Sequence, residues 1–564
     1  MNKATRELLE AHFDTAFAAP DGIKKLRELI LTLAMQGKLV AQDPNDPPAS
    51  QLLKNIEAEK KRLVKEGKIK APKPLPEITP EEVPYALPQG WQWVRLGEIG
   101  VWKSGSTPSR TNSKYYGGEI PWVKSGEVKQ GRIAQTEESI TELALKECSL
   151  SLNPKGSVLV AMYGANIGEV GILDIEATTN QAVCACNTFT AFDEKYLLNL
   201  IASLKQYFIS QGAGAAQPNI SREKIVTTLS PLPPLPEQHR IVAKIDELMA
   251  RCDELEKLRD EREQKRRSVH TAALKQLLDA QAGDSFADAW QFITQHFGEL
   301  YAVRENVTEL RKAILQLAVM GKLSNQVDGD GAAKELLLKV AAERHRLKIR
   351  ETHSSIKEPE PLGFKIPASW EWRCLNDLIV LGPTNGFSPK AVDYETQVRS
   401  LTLTATTSGV FRGENSKFIA DDIPLGSDLW LRDGDILVQR GNTLEYVGVP
   451  AIYRGAPNCY IYPDLMMKLR ISSELDTDYV YFTMSSVPSR DFLRMRASGT
   501  SGTMPKINQQ ALKNLPVPVP PLAEQKRIVS KIKTLMTLCD ALEQQIDAAT
   551  GKQTALLDAV TAQA

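Results

Sequence analysis

"PPLPEQHRIVAKIDELMARCDELE" occupies Pro233–Glu256, and "PPLAEQKRIVSKIKTLMTLCDALE" occupies Pro520–Glu543, 287 residues later. Both copies open on prolines, which cannot donate to a sheet ladder and mark the end of an extended run. Glu237 and Glu524 then fall in the first turn of a helix, where a carboxylate complements the helix dipole. Apolar residues follow in steps of four and three: Ile241, Ile245, Leu248, Cys252 and Leu255 in the first copy, Ile528, Ile532, Leu535, Cys539 and Leu542 in the second, which continues to Ile546 and Ala549. That spacing is a heptad seam. A lone seam has nothing to cover it, so the pattern predicts that the two long helices pack on each other as an antiparallel coiled coil; an intermolecular coiled coil is the other arrangement left open.

Repetition extends outward from this segment. "AHF" (Ala11–Phe13) recurs as "QHF" (Gln295–Phe297), and "LRELILTLAMQGKL" (Leu26–Leu39) as "LRKAILQLAVMGKL" (Leu310–Leu323), both at offset 284. "GWQWVRL" (Gly90–Leu96) matches "SWEWRCL" (Ser369–Leu375), "KGSVLV" (Lys155–Val160) matches "DGDILV" (Asp433–Val438), and "PNIS" (Pro218–Ser221) matches "PKIN" (Pro505–Asn508). A period of about 284 residues is far too long for a solenoid unit, so the chain is a tandem duplication of whole domain sets. Each half reads as a helical region, a proline-rich linker, a stretch of short strands and turns rich in Gly, Ser, Thr and β-branched residues, and the spacer helix. The expected division is 1–83 helical region and linker, 84–232 first middle domain, 233–283 first spacer helix, 284–365 second helical region and linker, 366–519 second middle domain, and 520–564 second spacer helix. The fold class is mixed α/β (α+β), two strand-rich domains alternating with long helices.

Composition narrows the function. The chain has 564 residues, 69 Lys+Arg against 69 Asp+Glu, and 42% hydrophobic residues, the profile of an ordinary folded protein of several domains. No apolar run reaches 18 residues, so no membrane span is expected. The charged, amphipathic start "MNKATRELLEAHFDTAF" lacks a signal-peptide core, and a cytoplasmic location follows as the expectation. Seven dispersed cysteines argue against a disulfide framework, and Cys184 and Cys186 lack a second ligand pair at zinc spacing. No metal site is expected.

The scaffold copies are alike, but the domains between them are not. "YGGEIPWVKSGEVKQGRI" (Tyr116–Ile133) shares little chemistry with "AVDYETQVRSLTLTATTSGVFRG" (Ala391–Gly413). One fold therefore presents two different faces. At this point the sequence resembles the specificity subunits of Type I restriction–modification systems over nearly its whole length. The resemblance rests on P-P-L-x-E-Q-x-x-I-V-x-K-I, present twice (Pro233–Ile245 and Pro520–Ile532), on G-W-x-W (Gly90–Trp93), and on "SGSTPSR" (Ser104–Arg110) followed by "IPWVKSGEV" (Ile120–Val128). The second half departs from it: Ser369 stands where Gly90 does in the first, and no "IPW" occurs.

The resemblance implies two target recognition domains, each reading one half of a bipartite site in double-stranded DNA. It implies spacer helices that fix the gap and dock two methyltransferase subunits, to which motor nuclease subunits are added. S-adenosylmethionine, ATP and Mg belong to those partners, with no cofactor bound by this chain. A helix of roughly 40 residues is about 60 Å long, enough to set two domains about one duplex turn, near 34 Å, apart. Base readout needs Arg, Lys, Asn, Gln, Ser or Thr at base edges, with small polar or basic groups on phosphates. In the first domain these are expected to be Lys103, Ser104, Ser106, Thr107, Ser109, Arg110, Tyr115, Tyr116, Lys124, Ser125, Tyr163, Asn166, Gln217 and Asn219. In the second they are Asn385, Ser388, Lys390, Arg440, Asn442, Thr443, Tyr446, Thr503 and Lys506. The basic run Lys60–Lys73, with Glu66 its one acid, reads equally as a phosphate contact or a solvated helix face.

No D-P-P-Y or N-P-P-Y motif occurs, "GAGAAQ" (Gly212–Gln217) is a lone Gly-x-Gly, and the six histidines are dispersed. The chain thus reads as a non-catalytic recognition subunit. Two alternatives stand beside that reading: a subunit serving fused nuclease–methyltransferase partners, and a coiled-coil DNA-binding scaffold or regulator.

Overall fold

The proline run that opens each spacer segment ends a strand and starts a helix, and everything else in a repeat is hung from that corner. The computed structural model describes residues 17–190, 192–212, 218–280, 284–349, 362–499 and 504–562; Ala11–Phe13 of the repeat lie outside them. The chain forms two compact units, Met1–Glu261 with Ala549–Ala564, and Arg262–Ala548.

In unit 1, helices α1 (Gly22–Met35) and α2 (Ala49–Lys65) lead to strand β1 (Gln92–Arg95). There follow β2 (Gly100–Ser104), β3 (Tyr116–Val123), β4 (Gly131–Ile133), β5 (Glu138–Ile140), β6 (Val158–Ala161), β7 (Val170–Leu173), β8 (Thr178–Thr179) and β9 (Val183–Thr188). Helix α3 (Glu194–Ser203) and β10 (Leu229–Leu232) then reach the long helix α4 (Leu235–Asp279). The sheet orders are β2-β9-β6-β7-β4 and β5-β3-β8, and β1 pairs with β10 alone. The β1–β10 ribbon is antiparallel, Gln92 opposite Leu232 and Arg95 opposite Leu229. A two-stranded ribbon tolerates Pro231 because one edge needs no ladder donor. The whole middle domain thus leaves and returns through one narrow neck.

Unit 2 repeats the plan with α5 (Asp284–Gln295), α6 (Arg304–Val319), α7 (Ala333–Arg346) and β11 (Glu371–Cys374). Next come β12 (Ile379–Asn385), β13 (Ala391–Val392), β14 (Val398–Leu401), β15 (Ser416–Ile419), β16 (Ile436–Gln439), β17 (Pro450–Ile452), β18 (Tyr460–Ile461) and β19 (Met466–Ile471). Helix α8 (Thr477–Ser485), β20 (Pro516–Val519) and the long helix α9 (Leu522–Ala562) complete it. Its sheets run β12-β19-β16-β17 and β13-β15-β14-β18, with β11–β20 as the neck.

The E-Q pair of each spacer segment holds the corner. Glu237 is buried, and its carboxylate accepts the Trp91 indole N–H at 2.9 Å and the Gln42 amide at 3.1 Å. Glu524 accepts Trp370 at 2.9 Å, Gln326 at 2.6 Å and the Ser324 hydroxyl at 2.8 Å. Gln238 donates to the Pro233 carbonyl at 3.0 Å and accepts the Asp193 amide at 3.1 Å; Gln525 does the same with Pro520 and Asp476, both at 2.9 Å. Asp193 and Asp476 in turn cap α3 and α8. One dipeptide therefore ties the neck, the spacer helix and a helix of the middle domain together. Both tryptophans of the G-W-x-W pattern serve packing: Trp91 is buried, and Trp93 meets Tyr85 edge-on with ring centroids 5.0 Å apart.

Within each unit the heptad seam is covered by the helix that opens the same repeat. Ile241, Ile245 and Cys252 are buried with Ile23, Ile30 and Ala34 of α1. Ile528, Ile532 and Cys539 are buried with Val307, Ile314 and Leu317 of α6. Leu248, Leu535 and Leu542 are partly buried in the same clusters. The premise that a lone seam lacks a partner is thereby corrected, since each repeat supplies its own. Arg27 fastens α1 to α4 through Asp253 at 2.7 Å and Glu256 at 3.0 Å, and Arg311 fastens α6 to α9 through Asp540 at 2.6 Å and Glu543 at 3.2 Å. Leu255 is the exception, 46% exposed.

The units are not the two sequence repeats, because each takes in the tail of the other repeat's spacer helix. Leu557 of α9 packs with Phe17, Ala19 and Leu29 in unit 1. Ala273, Leu274 and Leu277 of α4 pack in the core of unit 2. There the Lys322 ammonium donates to the Leu278 and Ala280 carbonyls, at 2.5 and 2.7 Å, and closes the end of α4.

At the repeat offsets, Leu557 and Phe17 correspond to His270 and Tyr301. The latter pair is buried edge-on at 5.1 Å between centroids, and neither His270 Nε2 nor the Tyr301 hydroxyl has a hydrogen-bond partner among the described residues. Burial lowers the His270 pKa from 6.5, with the Glu309 carboxylate opposing. The fold therefore favours neutral imidazole, while the unfolded chain takes up a proton first as pH falls. Unit 2 should keep this contribution above about pH 6.5 and lose it progressively below. His270→Leu with Tyr301→Phe, which copies the apolar pair of unit 1, should flatten that pH dependence in thermal unfolding and add about 1 kcal/mol. Glu237→Ala should cost about 3 kcal/mol in urea unfolding, because it strands the buried Trp91 N–H, and Glu237→Gln markedly less.

Candidate DNA interface

The strands β2 and β12 each run out into a loop that opens on glycine, and the backbone passes so close to its neighbours that a side chain has no room. A Cβ on Gly105 would collide with the carbonyls of Thr179 and Asn180, and one on Gly386 with those of Tyr462 and Pro463. The close approach is fixed by Ser106 N–H to Thr179 O at 3.0 Å and by Phe387 N–H to Tyr462 O at 2.9 Å. Two residues past each glycine a hydroxyl reaches across: Thr107 Oγ1 donates to Gln181 Oε1, and Ser388 Oγ to Asp464 Oδ1.

A second loop, after β6 or β16, adjoins the first. In unit 1, Met162 N–H bonds Ala182 O at 2.8 Å, and Gly164 N–H bonds Pro218 O at 2.9 Å; Tyr163 bridges to Asn219. In unit 2, Arg440 N–H bonds Leu465 O at 2.8 Å, and Asn442 N–H bonds Pro505 O at 3.3 Å; Gly441 bridges to Lys506. The topology thus gathers Lys103, Ser104, Ser106, Thr107, Ser109, Tyr163, Asn166 and Asn219 at one sheet edge, and Asn385, Ser388, Lys390, Arg440, Asn442, Thr443, Tyr446 and Lys506 at the equivalent edge. Lys103, Ser104, Thr107, Ser109, Tyr163 and Asn219 are exposed in the first; Asn385, Ser388, Lys390, Thr443 and Lys506 are exposed in the second. Arg440 spends one N–H on the Asp464 carbonyl at 3.2 Å, and Asn442 spends its amide on Gln439 at 3.3 Å. Gln217 and Thr503 lie outside the described residues.

Other expected contacts lie on the adjoining β5-β3-β8 sheet, which the Trp122 indole N–H ties to the Ser106 carbonyl at 3.1 Å. Arg110 donates to Glu138 at 2.6 and 3.2 Å, with its guanidinium 4.5 Å above the Tyr116 ring and 5.3 Å above Trp122. Lys124 bonds Glu137 at 2.6 Å and Glu138 at 3.1 Å. Hydrogen bonding to Arg110 holds the Glu138 carboxyl below its ordinary range, and the bonds to these acids raise Arg110 and Lys124. Tyr115 donates to Glu147 at 2.9 Å and Tyr116 to the Pro108 carbonyl at 2.5 Å; Ser125 is half-buried beside Lys124. The two cations expected from sequence to contact DNA are therefore engaged with carboxylates. The basic run Lys60–Lys73 begins on α2, where Lys60 and Lys61 lie 3.7 and 3.8 Å from Glu57.

Gln181, Asp464 and Phe387 belong to these edges and were not expected from the sequence. "NQA" and "PDL" share no motif; only the strand pairing that makes Thr179 and Tyr462 equivalent brings them into register. Among the described residues, no group of three or more His, Cys, Asp or Glu side chains could hold a metal ion, and no helix is long and apolar enough to cross a membrane. Cys184 and Cys186 are buried strand residues, and burial pushes the Cys184 thiol up to about 12.

Known proteins place these features in a family. The model of the Type I restriction modification DNA specificity domain matches residues 88–263 and again 367–549. The EcoEI specificity subunit of Escherichia coli, a Type I restriction enzyme subunit, is 31% identical, the alignment covering 96% of this chain and 93% of the relative. The EcoAI specificity subunit of the same organism is 32% identical with the same coverage. A solved HsdS subunit from Thermoanaerobacter tengcongensis aligns with 85% of this chain and 98% of its own length, at 19% identity and a TM-score of 0.41. With its twice-built neck, corner and loop edge, and two matches to one domain model, the chain belongs to the Type I restriction–modification DNA specificity family.

Proposed function

We propose that this chain is the DNA-reading subunit of a Type I restriction–modification complex, in which each middle domain reads one tract of a bipartite duplex site. The observation that carries this reading is the pair of equivalent loop edges: both are built on the same glycine, hydroxyl and strand register, yet they display different side chains. Equivalent frames with unlike surfaces suit a target made of two unlike tracts. Exposed Lys103 on one edge, and Lys390 and Lys506 on the other, suit phosphate contacts beside the bases.

The spacer helices set the gap between tracts and offer docking faces to two methyltransferase subunits; motor nuclease subunits complete the assembly. S-adenosylmethionine, ATP and Mg act on those partners. The chain itself reads and positions, and it works in the cytoplasm, where the duplex is. Helix α4 has 45 residues, about 67 Å at 1.5 Å per residue, ample for a gap of about one duplex turn, near 34 Å.

Co-expression with a partner methyltransferase, followed by single-molecule mapping of N6-methyladenine, tests the reading. One motif of two short tracts with a fixed unread gap is expected. An undivided motif, or no methylation from a soluble complex, would favour a scaffold or regulator instead. Inserting four helical residues between Glu261 and Arg262 adds about 6 Å and keeps the seam nearly in phase. The gap should then lengthen by about one to two base pairs, at roughly 3.4 Å each, with both tracts unchanged.

A further inference from the structure

The two loop edges can be superposed residue by residue through their hydrogen bonds. Ser106 N–H on Thr179 O matches Phe387 N–H on Tyr462 O, so Gln181 and Asp464, each two residues further on, are equivalent. Both are exposed. Each receives the loop hydroxyl, from Thr107 or Ser388, and Asp464 also receives its own amide's anchor, since its N–H donates to Ser388 Oγ at 3.0 Å. Beyond these bonds neither side chain has another hydrogen-bond partner among the described residues: the Gln181 amide N–H₂ and the second Asp464 oxygen stay available.

Two exposed polar side chains, held in one rotamer at the same point of two unlike faces, are poorly explained as loop struts. A strut needs only one chemistry, whereas these positions hold an amide and a carboxylate. A carboxylate on a face that meets a polyanion is repelled by every phosphate. It is tolerated where it meets a donor, and the donors a duplex offers are base amines, cytosine N4 being the one that pairs with Asp or Glu in the major groove. Arg440 donates to the backbone carbonyl of Asp464 at 3.2 Å and helps to fix this loop. A glutamine amide presents donor and acceptor together, the pattern that matches adenine N6 and N7. Pinning by the hydroxyl removes rotamer freedom before DNA arrives, which sharpens discrimination.

We infer that Gln181 and Asp464 are specificity-determining residues, Gln181 reading an adenine in one tract and Asp464 a cytosine in the other. This rests on the bipartite-recognition reading. The test uses the methyltransferase complex and isosteric variants, Asp464→Asn and Gln181→Glu, with N6-methyladenine mapping and binding to duplexes that carry each base in turn. Asp464→Asn should leave one tract unchanged and reduce the preference for cytosine at one position of the other tract about 10- to 100-fold. Gln181→Glu should do the converse, at an adenine of the opposite tract. Each variant's untouched tract is the internal control for folding. An unchanged motif at an unchanged methylation rate in Asp464→Asn would overturn the inference. So would loss of methylation at every site in both Asp464→Asn and Asp464→Ser, which would make the residue a strut. A wild-type complex that yields no two-part motif would instead overturn the recognition reading, and that failure is visible before any variant is made.

Discussion

Two buried carboxylates, Glu237 and Glu524, hold the rest of the architecture in place. Each sits in the first turn of a long helix, where the unpaired amides favour an anion, and each takes an indole N–H from the strand that opens the middle domain. The following glutamine reaches the turn before the nearest domain helix. An ionised group out of water is costly unless its lone pairs are filled, and here they are filled by the indole and by the loop that follows α1 or α6. That arrangement turns a flexible neck of two strands into a fixed mount. Without it, a recognition edge would have no defined direction relative to its helix.

This explains how much the sequence disclosed. The duplication, the spacer helices and the family were legible because they depend on local signals: proline stops, four–three apolar steps and the twice-written E-Q segment. Candidate contacts in the glycine loops, such as Thr107 and Ser388, were legible as loop chemistry, and the structure gathers each at its sheet edge. Whether an exposed cation is free was not legible. Arg110 and Lys124 read as open positive charge until β3 and β5 pair, which sets Glu138 beside both. The equivalence of Gln181 and Asp464 was hidden for the same reason, because strand register is not written in any local motif. The seam misled differently: its apolar period was correct, but periodicity says that a face is covered without saying by what, and within each unit α1 or α6 covers it.

The contrast between scaffold and edges also has a physical logic. Corner residues are buried and mutually bonded, so a change in one strands the others. Edge residues are exposed on loops whose shape is set by glycine contacts and backbone bonds, so side chains there can differ with little effect on the frame. The frame therefore tolerates the divergence seen between the two middle domains.

The exchange of helix tails bears on how the chain is made. Leu29 leaves the ribosome long before Leu557, with which it is buried. While the second repeat is being translated, the apolar side of α1 around Leu26 and Leu33 lacks this cover, a contact of very long sequence separation. The matching tail contact of the second unit has no such delay, because Ala273, Leu274 and Leu277 are already present when α6 emerges. Loss of the α9 tail would therefore leave apolar surface bare on α1, more than 500 residues away in sequence.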